Sequence, residues 1–125
     1  AREHNVPIIC DIELLFQISM NKKFIGITGT NGKSTTTALT AHILGTEPLG
    51  NIGKAALDAD HDYNDPYVFE VSSYQLDLMD KTAFDIAALL NITPDHLDRH
   101  GSLENYVRAK ARIFKQNPYQ HAIVN

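Results

Sequence analysis

A chain of 125 residues is long enough for one domain with a buried core, and its 43% hydrophobic share is ordinary for a globular protein. The formal net charge of −4 leaves no basic field of the kind that draws nucleic acid in general. No apolar run approaches the roughly 20 residues of a membrane span, the amino terminus has no signal-peptide core, and the single cysteine, Cys10, reads as a small buried hydrophobe in a reducing compartment. The expectation is a soluble cytoplasmic protein that engages neither nucleic acid nor membrane.

In chain order, residues 6–10 (VPIIC) read as a short strand. Residues 11–19 open on acids and place Ile12, Leu15, Phe16 and Ile18 at helical spacing, which predicts a helix. Residues 23–28 (KFIGIT) form a buried strand, and residues 34–44 a helix with Ala38, Leu39, Ala41, Ile43 and Leu44 available for packing. Residues 45–53, punctuated by Pro48 and glycines, read as loop. A short helix over 54–58 and a polar connection over 61–66 lead to a strand at 67–72, then a turn or short helix at 74–79. Residues 85–93 are a further strand. Residues 102–116 are a helix capped by Ser102, with a stripe of Leu103, Tyr106, Val107, Ala109, Ala111, Ile113 and Phe114, and residues 121–125 start a last strand.

Strands alternating with helices predict an α/β fold with a parallel sheet covered by helices on both faces. In such sheets the ligand lies beyond the carboxyl ends of the strands. Here those ends carry the polar residues: 28–34 after the first long strand, Ser72 and Ser73 after the next, and Pro94, Asp95 and His96 after the third.

A strand, a glycine turn and a helix opening at Gly32-Lys33-Ser34 is the arrangement that cradles phosphates on backbone N–H groups and a helix end. Lys33 would add positive charge, and the hydroxyl of Ser34 or Thr35 would reach Mg²⁺. The common spacing G-x-x-x-x-G-K-[ST] is not met, because Ile27 stands where its first glycine would be and Gly29 comes only three residues before Gly32. A glycine turn with a surface lysine is the plain alternative, but the run Ser34-Thr35-Thr36-Thr37 is a poor choice for helix propensity alone. Glu70 inside YVFEVSS is awkward unless it has a role or sits on an exposed edge, since burying an unpaired carboxylate is costly.

Four segments, TGTNGKSTTT (28–37), GNIG (50–53), EVSSYQLD (70–77) and NITPDHLDRHGSLENYVRAKARIF (91–114), together resemble the Mur ligases, which build the peptide of bacterial cell-wall precursors. Their order and approximate spacing fit, and they span nearly the whole chain. SSYQL resembles the member that adds D-glutamate to UDP-N-acetylmuramoyl-L-alanine; the member adding the third residue typically has histidine where this chain has Tyr74.

The resemblance implies a Mur ligase central domain with a P-loop-like nucleotide site, ATP and Mg²⁺ as cofactors, and amide-bond formation through an acyl phosphate. It implies that Gly29, Thr30, Asn31, Gly32, Lys33, Ser34 and Thr35 hold the triphosphate. Ser34, Glu70, His96 and Lys110 would hold metal, Asn51, Ser72 and His96 would face the substrate, and Lys33, His96 and Lys110 would be catalytic. In this family the lysine matching Lys110 is carbamylated by CO₂. That reaction needs a neutral amine, so a depressed pKa is expected there. His96 and His100 have a helical spacing that suits zinc, but no third ligand is evident. His4, His42, His61 and His121 read as surface or packing residues.

The chain departs from the family pattern in three places. The connection before GNIG is several residues short. Residues 1–10 read as the end of an amino-terminal UDP-binding domain or a linker, leaving 11–125 as a partial, truncated central domain. The chain stops before that domain closes. The expectation is a piece of an enzyme, inactive alone and missing its flanking domains, with an open sheet whose apolar edges invite association. Two other readings also accommodate the loop: a different P-loop NTPase or kinase, and a non-catalytic nucleotide-binding module.

Overall fold

The computed structural model describes residues 4, 6–19, 21–60, 62–63, 65–115 and 118–125; His61 and residue 116 lie outside them, and the helix expected over 102–116 already ends at Ala111, with turn following it. Residues 6–10 do not form the expected strand. They approach the first helix without joining the sheet, and Val6 and Ile8 remain about half exposed. An apolar run becomes a strand only where a sheet edge accepts it, and Pro7 brings no N–H to such a pairing.

Helix α1 (Asp11–Ile18) follows, with acids in its first turn and Ile12 and Leu15 fully buried. The chain continues through β1 (Phe24–Thr28), α2 (Lys33–Leu44), β2 (Pro48–Gly50) and a 3-10 turn at Ala56–Asp58. Then come β3 (Tyr67–Glu70), α3 (Ser73–Asp77), β4 (Ile86–Leu89), α4 (Leu97–His100), α5 (Leu103–Ala111) and β5 (His121–Val124). The β2 strand corrects the reading of residues 45–53 as loop. Three residues are too few to show a period, and Pro48 is tolerated as the first residue of an edge strand.

The five strands pair in the order β2-β3-β1-β4-β5, all parallel, so every carboxyl end lies along one edge. Alternation along the strands separates two cores. Phe24, Tyr67, Phe69, Val71 and Ala87 face α1 and α5 with Ile12, Leu15, Met79, Phe84 and Ile113. Phe24 is central, with Phe16 and Tyr67 edge-on at 5.3 and 5.2 Å and Phe69 stacked at 5.4 Å. Gly26 is matched to this core, because a Cβ there would lie 2.8 Å from the Phe84 ring. The opposite face is smaller: Ile25, Ile27, Val68 and Ala88 pack against Ala41 of α2.

The expected helical cover is incomplete on the α2 face. An apolar groove of about 320 Å³ runs between α2 and β4–β5, lined by Ile43, Ile86, Leu90 and Ile123 among others. All four residues of β5 are exposed.

One buried polar contact joins α1 to the turn before β4. Glu13 is 1% exposed and accepts hydrogen bonds from the amides of Lys81 and Thr82, both at 2.9 Å, and from the Thr82 hydroxyl. Burial pushes this carboxyl up, but the Thr82 hydroxyl and the two amides outweigh it and hold Glu13 below 4.5. A depressed folded value means that the stabilisation is full above 4.5 and is lost as pH falls through the folded value. In urea titrations across a pH series, Glu13→Gln should therefore be less stable than the parent above 4.5, and the gap should narrow at lower pH. A gap independent of pH would contradict this.

Candidate functional site

The loop between β1 and α2 is shaped for an anion. Gly32 caps α2 in a left-handed conformation (φ 79°) and offers no side-chain cap. Among the described residues the amides of Lys33, Ser34 and Thr35 therefore have neither an intrahelical nor a capping partner, and the positive end of the helix dipole lies with them. Lys33 opens the helix and folds back so that its Nζ donates to the Thr30 carbonyl at 2.9 Å. The amides of Thr30 and Asn31 are already engaged, donating to the backbone carbonyl and to the Oδ1 of Asn91 at 3.0 and 2.9 Å.

Strand parity places Glu70 beside this helix end. Phe69 and Val71 turn into the large core, so Glu70 turns to the α2 face, where it is 3% exposed. Its Oε2 accepts from Ser34 Oγ at 2.7 Å, and its Oε1 accepts from Asn51 Nδ2 at 3.0 Å. The GNIG segment makes the second contact possible. A Cβ on Gly50 would lie 2.6 Å from the Glu70 carbonyl, and one on Gly53 would lie 2.4 Å from the Pro48 carbonyl. Both glycines have positive φ, at 92° and 71°, and the tight loop they close lets Asn51 donate its amide to Glu70 O at 3.1 Å.

A pocket of about 230 Å³ opens beside these groups, walled by Lys33, Asn51, Ser72, Ser73, Tyr74, His96, Tyr106 and Lys110. Lys110 reaches it from α5. It is 2% exposed and donates to Gly29 O at 2.7 Å, with Thr28 Oγ1 at 3.5 Å and its Nζ 4.8 Å from the Tyr106 ring centroid. Burial, and then the neighbouring Lys33 cation, bring its pKa down to about 8. The direction is the one expected for this lysine. A larger cavity of about 430 Å³ lies at the opposite edge of the sheet, but its wall is largely apolar around the Lys23–Asp85 ion pair and holds none of these groups.

Ser72 has a double position: it lines the pocket and caps α3 in a reciprocal box with Gln75, its Oγ accepting from Gln75 N at 3.2 Å. His96 takes a left-handed backbone (φ 50°) ahead of α4 and stands half exposed, its ring 5.3 Å from that of Tyr74. His100 turns elsewhere, with Nε2 3.0 Å from Ser73 Oγ and its ring stacked on Tyr74. Among the described residues no group of three His, Cys, Asp or Glu side chains is placed to hold a metal. Glu70 nevertheless suits one ion, as a buried carboxylate met by neutral donors and by no salt bridge among the described residues. Mg²⁺ needs no more protein than this, since it takes one or two carboxylates, a hydroxyl, phosphate oxygens and water.

Sequence reasoning missed two parts of the site. It assigned Tyr106 to the apolar stripe of α5, yet its hydroxyl lies 3.2 Å from Thr30 Oγ1. A hydropathy period counts tyrosine as apolar and does not register the hydroxyl. It placed Asn91 and Thr93 in a strand over 85–93 and gave them no site role, yet β4 ends at Leu89 and both residues hold the loop between β1 and α2 from behind; a polar pair after an apolar run was the available signal.

A family model described as the Mur ligase middle domain matches residues 27–125, and the chain belongs to the Mur ligase family. The chain is 52% identical, over its whole length, to 29% of a UDP-N-acetylmuramoylalanine–D-glutamate ligase of Rickettsia prowazekii. It is 53% identical, again over its whole length, to 26% of the enzyme of that name from Rickettsia conorii. Over 94% of its length it is 50% identical to 26% of the Rhodospirillum rubrum enzyme of that name. The chain thus spans under a third of the length of these curated relatives.

The electrostatics of Lys110 make a testable statement. With a folded value of about 8 against 10.5, the unfolded chain holds the extra proton between those values, so stability attributable to this residue rises with pH across that window. In CO₂-free buffer, the stability difference between the parent and Lys110→Met should shift in favour of the parent from about 8 to 10.5. A difference that stays constant across the window would contradict it.

Proposed function

We propose that this chain is the nucleotide-binding part of an ATP-dependent amide-bond ligase that adds D-glutamate to UDP-N-acetylmuramoyl-L-alanine in the cytoplasm. Residues 11–125 would be part of its central domain and residues 1–10 the end of the preceding domain or a linker. The observation that carries the reading is that Lys33 and buried Lys110 line one pocket together with Asn51, which is hydrogen-bonded to the Glu70 carboxylate that also holds Ser34. A phosphoryl donor and a carboxylate acceptor, both anionic, need cationic groups at that meeting point.

The α2 amides and Lys33 hold the triphosphate. The carboxylate of the muramoyl-alanine substrate attacks the γ-phosphorus, ADP leaves, and a mixed acyl phosphate forms. The amine of D-glutamate then attacks the acyl carbon. The tetrahedral adduct expels phosphate and the amine gives up a proton, leaving the amide. Asn51, Ser72 and His96 contact the muramoyl-alanyl substrate, and His96 is near the reacting carboxylate. Ser34 and Glu70, with His96 and a modified Lys110, would hold Mg²⁺, which would supply charge neutralisation for the phosphates.

Carbamylation of Lys110 would supply an anion in addition to Glu70. The neutral lysine amine attacks CO₂, an N–C bond forms and a proton is released, so a buried cation becomes a carboxylate. A pKa of about 8 leaves an appreciable neutral fraction for the reaction near neutral pH. The chain's share of its relatives, 26–29%, favours a second reading for the isolated chain: nucleotide binding without turnover.

Calorimetric titration with a non-hydrolysable ATP analogue and Mg²⁺ tests the loop. The parent should bind, and Lys33→Ala should weaken binding by about tenfold or more, the usual worth of a charged phosphate contact. Equal binding by both proteins would remove Lys33 from the site and the proposal with it.

A further inference from the structure

The phosphate loop is short: only Thr30 and Asn31 separate Gly29 from Gly32. Something outside the loop must fix its curvature, and the contacts identify it. Asn91, just beyond β4, places both ends of its side-chain amide on the peptide of Asn31. Its Oδ1 accepts from Asn31 N at 2.9 Å, and its Nδ2 donates to Asn31 O at 3.0 Å. The side chain thus reads the loop as a neighbouring strand would, with its donor and acceptor both engaged. Its backbone carbonyl takes the amide of Thr30 at 3.0 Å. Two residues on, Thr93 N donates to Thr30 Oγ1 at 3.0 Å, and Thr30 Oγ1 lies 3.2 Å from Thr93 O. Gly29 is closely apposed to the same segment, since a Cβ there would lie 3.1 Å from Leu90 Cβ.

We propose that Asn91 is a positioning residue whose side-chain amide templates the phosphate loop, in place of the longer glycine-rich loop that this chain lacks. The inference rests on the reading of residues 29–35 as a triphosphate cradle and goes beyond it by assigning the group that holds the cradle in shape. The Asn31 carbonyl, held by Asn91 Nδ2, is kept from turning its lone pairs toward a bound phosphate. The Asn31 and Thr30 amides are committed to the template, so phosphate is left to the amides that open α2 and to Lys33. The segment that reads the loop continues within a few residues to Asp95 and His96, so the nucleotide loop and the His96 wall of the pocket are joined by the same bonds.

An aspartate at 91 would still accept from Asn31 N but could not donate to Asn31 O, and it would set a negative charge beside the phosphates. The test compares the parent chain with Asn91→Ala, Asn91→Asp and the control Asn105→Ala, which removes a side-chain bond to His100 O away from the loop. Two readouts are taken on each: amide hydrogen exchange at Asn31 by NMR, and affinity for a non-hydrolysable ATP analogue with Mg²⁺. In Asn91→Ala, Asn31 should lose its protection and affinity should fall by about tenfold, the worth of roughly two modest hydrogen bonds. Asn91→Asp should keep Asn31 protected yet bind the analogue more weakly than the parent, and Asn105→Ala should match the parent in both. Unchanged exchange at Asn31 in Asn91→Ala, or affinity within twofold of the parent, would overturn the proposal. If the parent binds no nucleotide while Asn91→Ala still exposes the Asn31 amide, the templating role stands and the phosphate reading of the loop is what fails.

Discussion

A carboxylate buried at the end of an interior strand, with only neutral donors to satisfy it, is the constraint around which this site is organised. Glu70 cannot turn to water, because β2 and β1 flank its strand and α2 covers its face. Such a charge is expensive unless its lone pairs are met. Ser34 meets one oxygen from the first turn of α2, and Asn51 meets the other from the tight GNIG loop. The features that look separate in the sequence, a hydroxyl after the loop lysine, an asparagine between two glycines and a glutamate in an apolar strand, are therefore one hydrogen-bonded unit.

The opposite charge is arranged by the same sheet edge. Lys33 enters from α2 and Lys110 from α5 on the other face, and they converge on the pocket from either side of β1. Neither lysine forms a salt bridge among the described residues. Lys33 is occupied by a loop carbonyl and Lys110 by Gly29 O, both neutral acceptors that a phosphate or a carboxylate can replace. Burial with a like charge nearby is why Lys110 is held near 8, and it makes that amine more nucleophilic near neutral pH than a surface lysine.

Much of this was legible in the sequence, and the parts that were not share a cause. The alternation of apolar runs fixed the parallel sheet and brought residues 28–34, Ser72 and His96 to one edge, because period and strand polarity are local properties. The VPIIC strand failed because pairing is not local: its apolar residues look like a strand, but the outer strands of the sheet are β2 and β5, and residues 6–10 pair with neither. The β2 strand was missed because three residues carry no period. Asn91 and Tyr106 were missed because their roles lie in contacts across some 60 and 76 residues of chain, to Asn31 and Thr30 respectively, and nothing in the local pattern records the partner. The roles drawn from the family resemblance rest on whole motifs, which is why Glu70, Asn51 and Lys110, distant from one another in sequence, could be named together.

The most direct measurement is the Mg²⁺ dependence of nucleotide-analogue affinity in the parent and in Glu70→Gln, an exchange that removes the charge and keeps the shape. If the buried carboxylate is there for a metal–nucleotide complex, the parent should bind the analogue more tightly with Mg²⁺ than with a chelator. Glu70→Gln should lose that difference while retaining metal-free binding. A variant with the parent's full Mg²⁺ dependence would show that Glu70 serves only to tie α2 and the GNIG loop to the sheet, and would contradict the account.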